Sequence, residues 1–295
     1  NNHYFPYNKD CVEAKELELF FNQIYTNPNV RRYAMDIFTI VLDGGIKMEK
    51  FYVMTGSSSN GKSKVFELIQ KAIGDYYSIM PISLITQKRA ASNAAAPELE
   101  RTKGRRMAVM QEPGENEKLN TGLMKELTGG DRIQARGLFK EPIEFRPQFK
   151  MFLVCNDLPE VPSDDGGTWR RIRVIEHTSK FCENPDPTKP NQFVMDLELD
   201  EKINRWASVF MSMLIDHHSK MNVKNIIEPM EVRIATESYK KNNDVVGQFK
   251  EECTETTTDP SKAAEYRLKL SELNVAFKRW SNESVSKGKK IPERN

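Results

Sequence analysis

Residues 55–64 have the sequence TGSSSNGKSK, a run of small residues with two glycines and a lysine. The short apolar run FYVM (51–54) precedes it, and VFELIQKAIG (65–74) follows with its apolar residues at helical spacing. Residues 56–63 match G-x-x-x-x-G-K-[ST], a pattern typical of a tight turn from a strand into a helix. The pattern predicts a loop whose backbone N–H groups surround a bound phosphate chain, at the positive end of the next helix.

The chemistry of such a loop assigns a role to each of its residues. Gly56 and Gly61 permit the tight backbone, Lys62 can reach the β- and γ-phosphates, and Ser63 can bind Mg²⁺. We expect the whole segment to contact a nucleoside triphosphate, ATP by preference: Gly56, Ser57, Ser58, Ser59, Asn60, Gly61, Lys62 and Ser63. The competing interpretation is a Ser- and Gly-rich surface loop that contains GKS by chance, and the strand and helix around it argue against that.

Composition limits the class of protein. The chain has 295 residues, 29% of them charged, a net charge of +2, and no apolar run of the roughly 18–20 residues that a membrane span needs. Its four cysteines are far apart and form no C-x-x-C pair, so neither a zinc site nor a disulfide framework is indicated. With Asn as its first residue and no signal-peptide pattern, we expect a fragment of an intracellular protein from a reducing compartment.

Apolar periodicity divides the chain into three segments. Helical patterns occupy residues 11–45, short apolar strands alternate with helices or loops over 50–180, and helical patterns return over 190–295. We therefore predict a helical segment (1–45), an α/β core (46–220) and a helical C-terminal segment (221–295).

Two polar residues follow predicted strands downstream of the loop. Glu112 comes after MAVM (107–110), where a carboxylate beside the phosphate loop can hold Mg²⁺ and polarise the attacking water. We expect its strand to lie beside the strand of the loop. Asn156 follows FLVC (152–155), where a neutral amide can sense the γ-phosphate. In the alternative for Glu112, the residue is an ordinary acidic strand end. In the alternative for Asn156, the residue only turns the chain.

A basic segment and a pair of arginines complete the pattern. RIQARGLF (132–139) and IEFRP (143–147) predict a hairpin in which Arg136, Phe139 and Lys140 can grip a nucleic-acid backbone. In the alternative, Phe139 packs inward. Arg170 and Arg171 precede the strand IRVI (172–175), and there an arginine at a subunit edge can reach a neighbour's γ-phosphate. In the alternative, both are solvated or salt-bridged surface residues.

These segments together resemble the superfamily 3 helicases of viruses, phages and plasmids, above all the primase–helicase proteins of poxvirus-type large DNA viruses, phages and plasmids. The resemblance rests on GSSSNGKS, RRMAVMQEP, LMKELTGGDRIQARGLFKEP and FLVCNDLPEVPSDDGGTWRRIRV, and on their order. It covers residues 11–220 closely and 221–295 more loosely. One departure is Gln111, because many ATPases have an acid at that position.

The resemblance implies an α/β P-loop core of the AAA+ type that assembles as a ring, usually a hexamer, with ATP and Mg²⁺ between subunits. It makes Glu112 the catalytic acid and base, Asn156 the sensor, and Arg171, with Arg170 second, the arginine finger. Lys140, with Phe139, would contact a DNA strand in the channel. The first helices would form a collar, the last segment a winged-helix-like region, and a primase would precede residue 1.

We therefore expect an ATP-dependent DNA helicase of viral or mobile-element replication, active at the replication site of the host cell and without a membrane partner. The alternative is a DNA-loading or scaffold ATPase that does not unwind, and a third candidate is a P-loop kinase. The C-terminal residues 262–295 carry nine Lys or Arg against four Glu. This excess suits a surface that faces DNA or another subunit, or else a solvated helix.

Overall fold

The structure, a computed structural model, describes residues 5–45, 48–87, 95–114, 117–162, 165–255, 259, 261 and 267–286. Its strands are β1 (Phe51–Thr55), β2 (Tyr77–Ile79), β3 (Met107–Gln111), β4 (Ile133–Ala135), β5 (Ile143–Phe145), β6 (Lys150–Val154), β7 (Ile172–Glu176), β8 (Lys180–Cys182) and β9 (Gln192–Val194). Its helices are α1 (Val12–Ile24), α2 (Pro28–Thr39), α3 (Lys62–Ile73), α4 (Ser83–Thr86), α5 (Pro97–Glu100), α6 (Thr121–Gly129), α7 (Gly166–Trp169), α8 (Leu199–Lys220), α9 (Met230–Asn243), α10 (Val245–Cys253) and α11 (Leu270–Ser286).

A five-stranded parallel sheet in the order β2-β3-β6-β1-β7 forms the centre of the molecule. Because its strands are parallel, their carboxyl ends share one edge, where polar side chains from different strands can meet. The expectation that the strand before Glu112 lies beside β1 is wrong, since β6 lies between β3 and β1. Every residue of β6 is buried, as a central strand requires, whereas β3 ends in the exposed Gln111.

Successive side chains of each strand point to opposite faces, so the sheet divides the core into two layers. On β1, Tyr52 and Met54 pack into one layer, which is built with α1, α2, α3 and α8. Phe51 and Val53 pack into the other, which is built with α6, the β4–β5 hairpin and α9. Both faces of the sheet are covered by apolar side chains, which gives a three-layer α/β domain.

The N-terminal helices share a core with the sheet. Asn27 caps α2 through its side-chain oxygen, which accepts hydrogen bonds from the backbone N–H groups of Asn29 and Val30. The inward side chains of α1 (Leu17, Phe21) and α2 (Tyr33, Ile37, Phe38) are buried. They belong to the same apolar cluster as residues of α3, β6 and α8. The segment predicted as a collar therefore forms one face of the α/β domain.

The C-terminal helices differ in what they pack against. Helix α9 covers the free edge of β7, where the backbone N–H of Val174 donates to Thr236 Oγ1 at 3.0 Å. Helices α10 and α11 form a small cluster of their own around Val245, Phe249 and Trp280. Over 195–286, the described residues contain helices and no strand, so the winged-helix interpretation lacks its strands there. Most of the Lys and Arg residues of segment 262–295, which were expected to form a basic surface, lie outside the described residues.

The prediction of helix from about residue 190 missed a small parallel sheet. Strands β8 and β9 pair from Lys180↔Gln192 to Cys182↔Val194, and the rings of Phe181 and Phe193 lie 5.7 Å apart. Runs of three residues are too short for a period-2 pattern to reveal them. None of the helices in the described part of the chain has the length and apolarity needed to span a membrane.

Candidate functional site

The loop of residues 56–61, named the glycine loop here, connects β1 to α3 and requires glycine at both ends. Gly56 has φ 141° and Gly61 has φ 83°, a region that side chains disfavour. A Cβ at Gly56 would lie 2.4 Å from the His177 backbone oxygen, and one at Gly61 would lie 2.8 Å from Ile24 Cδ1. The glycine loop is therefore packed between α1 and the segment that follows β7.

Lys62, the first residue of α3, turns its side chain back under the glycine loop. Its Nζ donates to the backbone oxygens of Gly56 (2.5 Å) and Ser57 (3.1 Å) and to Asn156 Oδ1 (3.0 Å). Burial lowers the pKa of the lysine, and the nearby Cys155 and Glu112 act in the opposite direction. A cation held in this way is placed at the mouth of a loop that can bind phosphate.

Asn60 fixes the conformation of the loop itself. Its Oδ1 accepts from the backbone N–H of Lys62 at 3.2 Å, and its Nδ2 donates to the backbone oxygen of His177 at 3.3 Å. This buried amide ties the glycine loop to the residue directly after β7. These two hydrogen bonds restrict the conformation of the glycine loop.

Asn156 lies two residues beyond the end of β6, next to the end of β1. Its backbone oxygen accepts a hydrogen bond from Thr55 Oγ1 at 3.0 Å, and its side chain meets Lys62. The structure thus brings two separately predicted site residues into direct contact. Behind them, burial raises the pKa of the Cys155 thiol to about 12, so this residue is neutral and contributes packing.

Glu112 follows β3 at the same edge of the sheet. Its backbone N–H donates to the Val154 oxygen at 3.0 Å, its φ of 41° is left-handed, and its side chain is exposed. Burial lowers the pKa of Lys62, and the charge of Glu112 partly opposes that lowering. A carboxylate in this place can accept a proton or hold a hydrated cation in front of the loop.

The residues present fit a magnesium ion held mainly by a nucleotide. In the described part of the chain, no group of three or more His, Cys, Asp and Glu side chains comes together to hold a metal. Ser63 is exposed in the first turn of α3, and Glu112 is exposed at the end of β3. Mg²⁺ commonly binds through one or two protein groups, substrate phosphates and water, which this donor set allows.

The two arginines lie at the amino ends of the parallel strands, opposite the carboxyl ends where the glycine loop lies. Arg171 directly precedes β7, and its backbone oxygen accepts from the N–H of Phe51, the first residue of β1. Because Lys62 lies beyond the other end of β1, a strand of five residues, or about 16 Å, separates the two positions. The structure therefore does not bring the arginines to the glycine loop of their own chain.

Glu49 holds both arginines, but to different degrees. Its Oε2 accepts from Arg170 Nη2 and from Arg171 Nη2, both at 2.9 Å. Arg171 also donates to the Gly167 oxygen at 2.8 Å and its side chain is only 10% exposed, whereas that of Arg170 is 62% exposed. Arg170 is thus the more accessible guanidinium, whereas the sequence favoured Arg171 as the arginine finger. No pattern in the sequence indicated that Glu49 would contact both arginines.

The predicted hairpin is formed by β4 and β5, which pair in antiparallel register from Ile133↔Phe145 to Ala135↔Ile143. Phe139 lies at its tip with a left-handed φ of 57° and a fully exposed ring, so the inward-packed alternative does not hold. Lys140 Nζ contacts Glu100 Oε1 at 3.0 Å, a partner that the sequence did not reveal. Arg136 is partly buried, and its Nε finds no hydrogen-bond partner among the described residues.

Comparisons with known proteins agree with the family predicted from the sequence. The model of a family of unknown function, DUF5906, matches residues 54–171. "Putative helicase L207/L206" of Acanthamoeba polyphaga mimivirus is 41% identical over 257 residues, which are 84% of this chain and 27% of that protein. "Putative primase C962R" of African swine fever virus (strain Badajoz 1971 Vero-adapted) is 27% identical over 296 residues, 96% of this chain and 30% of that protein.

The resemblance to the primase–helicase proteins of large DNA viruses is confirmed. "Putative helicase 022R" of Frog virus 3 also matches, with 28% identity over 92% of this chain and 28% of its own length. The chain therefore spans less than a third of the length of these relatives.

The fold is similar to that of the apo C-terminal region of NrS-1. One structure of that region has a TM-score of 0.56 at 13% identity and covers 79% of this chain and 53% of its own. A second has the same TM-score at 12% identity and covers 88% of this chain and 60% of its own. At this level of identity the likeness concerns the arrangement of helices and strands.

Proposed function

We propose that this chain is the ATP-driven motor of a viral replication helicase, with an AAA+-like P-loop core. The observation that carries the proposal is the hydrogen bond from Lys62 Nζ to Asn156 Oδ1 at 3.0 Å. It joins the glycine loop and the β6 end at the carboxyl edge of a parallel sheet, where nucleotides bind in such folds. Glu112 completes the group at the same edge.

In this proposal each residue has a task when ATP and Mg²⁺ are bound. The N–H groups of the glycine loop and Lys62 would hold the phosphates. Ser63 would bind Mg²⁺, an ion that would neutralise developing charge. Glu112 accepts the proton of the attacking water, and Asn156 orients that water or the γ-phosphate through its amide.

The position of the arginines supports hydrolysis between subunits. Arg170 and Arg171 precede β7 at the far edge of the sheet and cannot neutralise the charge of an ATP on the same chain. A ring would bring this edge to the glycine loop of a neighbour, as an arginine supplied in trans requires. The greater exposure of Arg170 favours it as the residue that reaches across, with Arg171 holding Glu49 in place.

The β4–β5 hairpin is the proposed contact with the DNA strand. Phe139 presents a fully exposed ring on which a base can stack, and Lys140 lies beside it with a side chain 64% exposed. Glu100 neutralises Lys140 in the free protein, so a DNA phosphate would replace a carboxylate as its partner. Arg136 is less accessible and would support the hairpin from within.

The test compares wild-type protein with Lys62→Ala and with Lys71→Ala, a control that removes a lysine from the same helix away from the loop. Wild type and Lys71→Ala should hydrolyse ATP in the presence of Mg²⁺ and displace a labelled strand from a partial duplex. Lys62→Ala should do neither. Hydrolysis without displacement would favour the DNA-loading or scaffold ATPase, and hydrolysis by Lys62→Ala at the wild-type rate would contradict the assignment of the loop.

A further inference from the structure

An open groove of about 450 Å³ lies directly against the glycine loop. It shares Ser59, Gly61 and Lys64 with the loop and the first turn of α3, and neither Asn156 nor Glu112 lines it. Its volume is within the range of about 300–1,000 Å³ common for small-molecule sites. The groove therefore extends from the glycine loop away from Asn156 and Glu112, the residues proposed to act on the γ-phosphate.

The walls of the groove are mainly apolar and partly aromatic. Helix α1 contributes Leu19 and Phe20, the β8–β9 region contributes Phe181 and Val194, and the start and middle of α8 contribute Leu199 and Trp206. Phe181 is also joined to the loop, because its backbone N–H donates to the Ser59 oxygen at 2.7 Å. A flat ring system could enter between these side chains and remain close to the loop.

The charged side chains of the groove are neutralised within the protein. Lys64 contacts Glu67 at 2.9 Å and also Asp200, while Lys202 contacts Asp196 at 2.7 Å. Glu16 accepts a hydrogen bond from Trp206 Nε1 at 2.7 Å. Both lysines that line the groove thus have carboxylate partners, so the groove suits an uncharged ligand better than a second phosphate.

The course of a phosphate chain in the loop leads towards the groove. The N–H groups of the glycine loop and the first turn of α3 bind successive phosphates, so the rest of a nucleotide leaves the loop beside Lys64. The groove begins there. The phosphate end would then face Lys62 and Asn156, and the nucleoside end would face α1 and Phe181.

We propose that this groove binds the nucleobase and ribose of the nucleoside triphosphate, with Leu19 and Phe181 as walls of the base site. The inference rests on the proposed function, because it places the second half of the ligand whose phosphates the glycine loop would hold. It adds a role in nucleotide binding for α1 and for residues 194–199.

The experiment measures the affinity of two ligands, ATP and inorganic tripolyphosphate, for wild type, Leu19→Glu and Val12→Glu. Leu19 lines the groove and is 58% exposed, while Val12 is 64% exposed on the same helix and does not line it. Both variants introduce the same charge at exposed positions, so the fold should survive. Leu197→Glu, which changes an exposed residue at the rim, gives an independent second variant.

Leu19→Glu and Leu197→Glu should each lower the affinity for ATP about tenfold. The reason is that a carboxylate without a partner disfavours a bound ring beside it. Tripolyphosphate, which lacks a base, should bind all variants equally well, and Val12→Glu should bind both ligands as wild type does. Melting temperature and native mass are recorded for every variant.

Wild-type ATP affinity in both groove variants would overturn the proposal. Unchanged ATP affinity with a loss of oligomer mass would overturn it too, and would assign the groove to a contact between subunits. An equal loss of affinity for ATP and for tripolyphosphate would show that the groove variants disturb phosphate binding and not the binding of a base. If wild-type protein binds neither ligand, the proposed function fails as well, which separates that failure from a failure of the groove alone.

Discussion

At the scale of single residues, Glu112 combines a left-handed backbone with an exposed carboxylate at the end of a buried strand. Such conformations are costly for residues other than glycine, and they cluster at functional sites. Here the conformation follows directly after β3 and precedes Pro113, and the Glu112 charge partly opposes the lowering of the Lys62 pKa that burial causes.

Glu112→Gln should bind ATP with near wild-type affinity and lose hydrolysis, because an amide neither accepts a proton nor neutralises Mg²⁺. A general base contributes typically about 10²–10⁴-fold, so the rate constant should fall by that order. Single-turnover hydrolysis and a nucleotide-binding titration measure the two effects separately. Glu98→Gln, at an exposed position of α5, serves as the control, and a wild-type rate for Glu112→Gln would show that another group is the base.

His177 supports the glycine loop from below and should make stability depend on pH. Burial is the main cause that lowers its pKa from 6.5 to about 3, with the Lys62 charge acting in the same direction, and its Nε2 lies 3.0 Å from Tyr25 Oη. The unfolded chain binds this proton below pH 6.5 and the folded protein does not, so stability falls as pH decreases from 6.5 towards 3.

His177→Gln should remove this contribution, which amounts to at most about 1.4 kcal/mol per pH unit inside that window. Urea unfolding at pH 7 and pH 5 measures it: wild type should lose more stability than the variant between the two values. Equal losses would show that His177 does not titrate on unfolding.

At the scale of elements, the loop–helix pair was predictable because its determinants are local. These determinants are Gly56, Gly61, Lys62 and the apolar spacing of α3, and they lie within one stretch of the chain. The order of the strands was not predictable in the same way, because the place of β6 between β1 and β3 depends on burial over distant segments. The roles of two acidic side chains were missed because each contacts residues 40 or more positions away: Glu49 and Glu100.

The turn before β7 separates the two arginines by role. Arg170→Ala should retain stability and ATP binding and lose hydrolysis, since it removes an accessible guanidinium. Arg171→Ala should lower the free energy of unfolding by about 1–3 kcal/mol, because it leaves the Gly167 oxygen and part of Glu49 without a partner. Chemical denaturation and steady-state ATPase rates distinguish the variants. A stable Arg171→Ala protein without activity, beside an active Arg170→Ala protein, would reverse the assignment.

The hairpin should contribute to DNA binding in two distinguishable ways. Phe139→Ala should keep wild-type stability within about 0.5 kcal/mol, because the ring is fully exposed, and should weaken binding of a single strand without changing its salt dependence. Lys140→Ala should reduce the salt slope by about one unit for each DNA phosphate that the lysine neutralises in wild type. Fluorescence anisotropy over a salt series tests both, with Lys71→Ala as the control for the removal of a charge. Wild-type binding by both hairpin variants would exclude the hairpin from the DNA site.

At the scale of the whole molecule, the sheet separates the two halves of the proposed ATP site. Lys62, Asn156 and Glu112 lie at its carboxyl edge, and Arg170 and Arg171 lie at its amino edge. One chain cannot use both edges for one nucleotide, whereas a ring could pair the edges of neighbours. From the sequence we predicted that an arginine before β7 can reach a neighbour's phosphate. The distance between the two ends of the sheet could not be predicted, since it depends on the parallel pairing of β7 with β1.

Mixed assemblies of Lys62→Ala and Arg170→Ala chains test this central claim most directly. Each variant alone should hydrolyse no ATP, because every site lacks either the lysine or the arginine. In mixtures shown by native mass spectrometry to contain both chains in one ring, some interfaces join an intact glycine loop to an intact Arg170, and hydrolysis should return in proportion to those interfaces. Confirmed mixed rings with no activity at any ratio would contradict an ATP site shared between subunits.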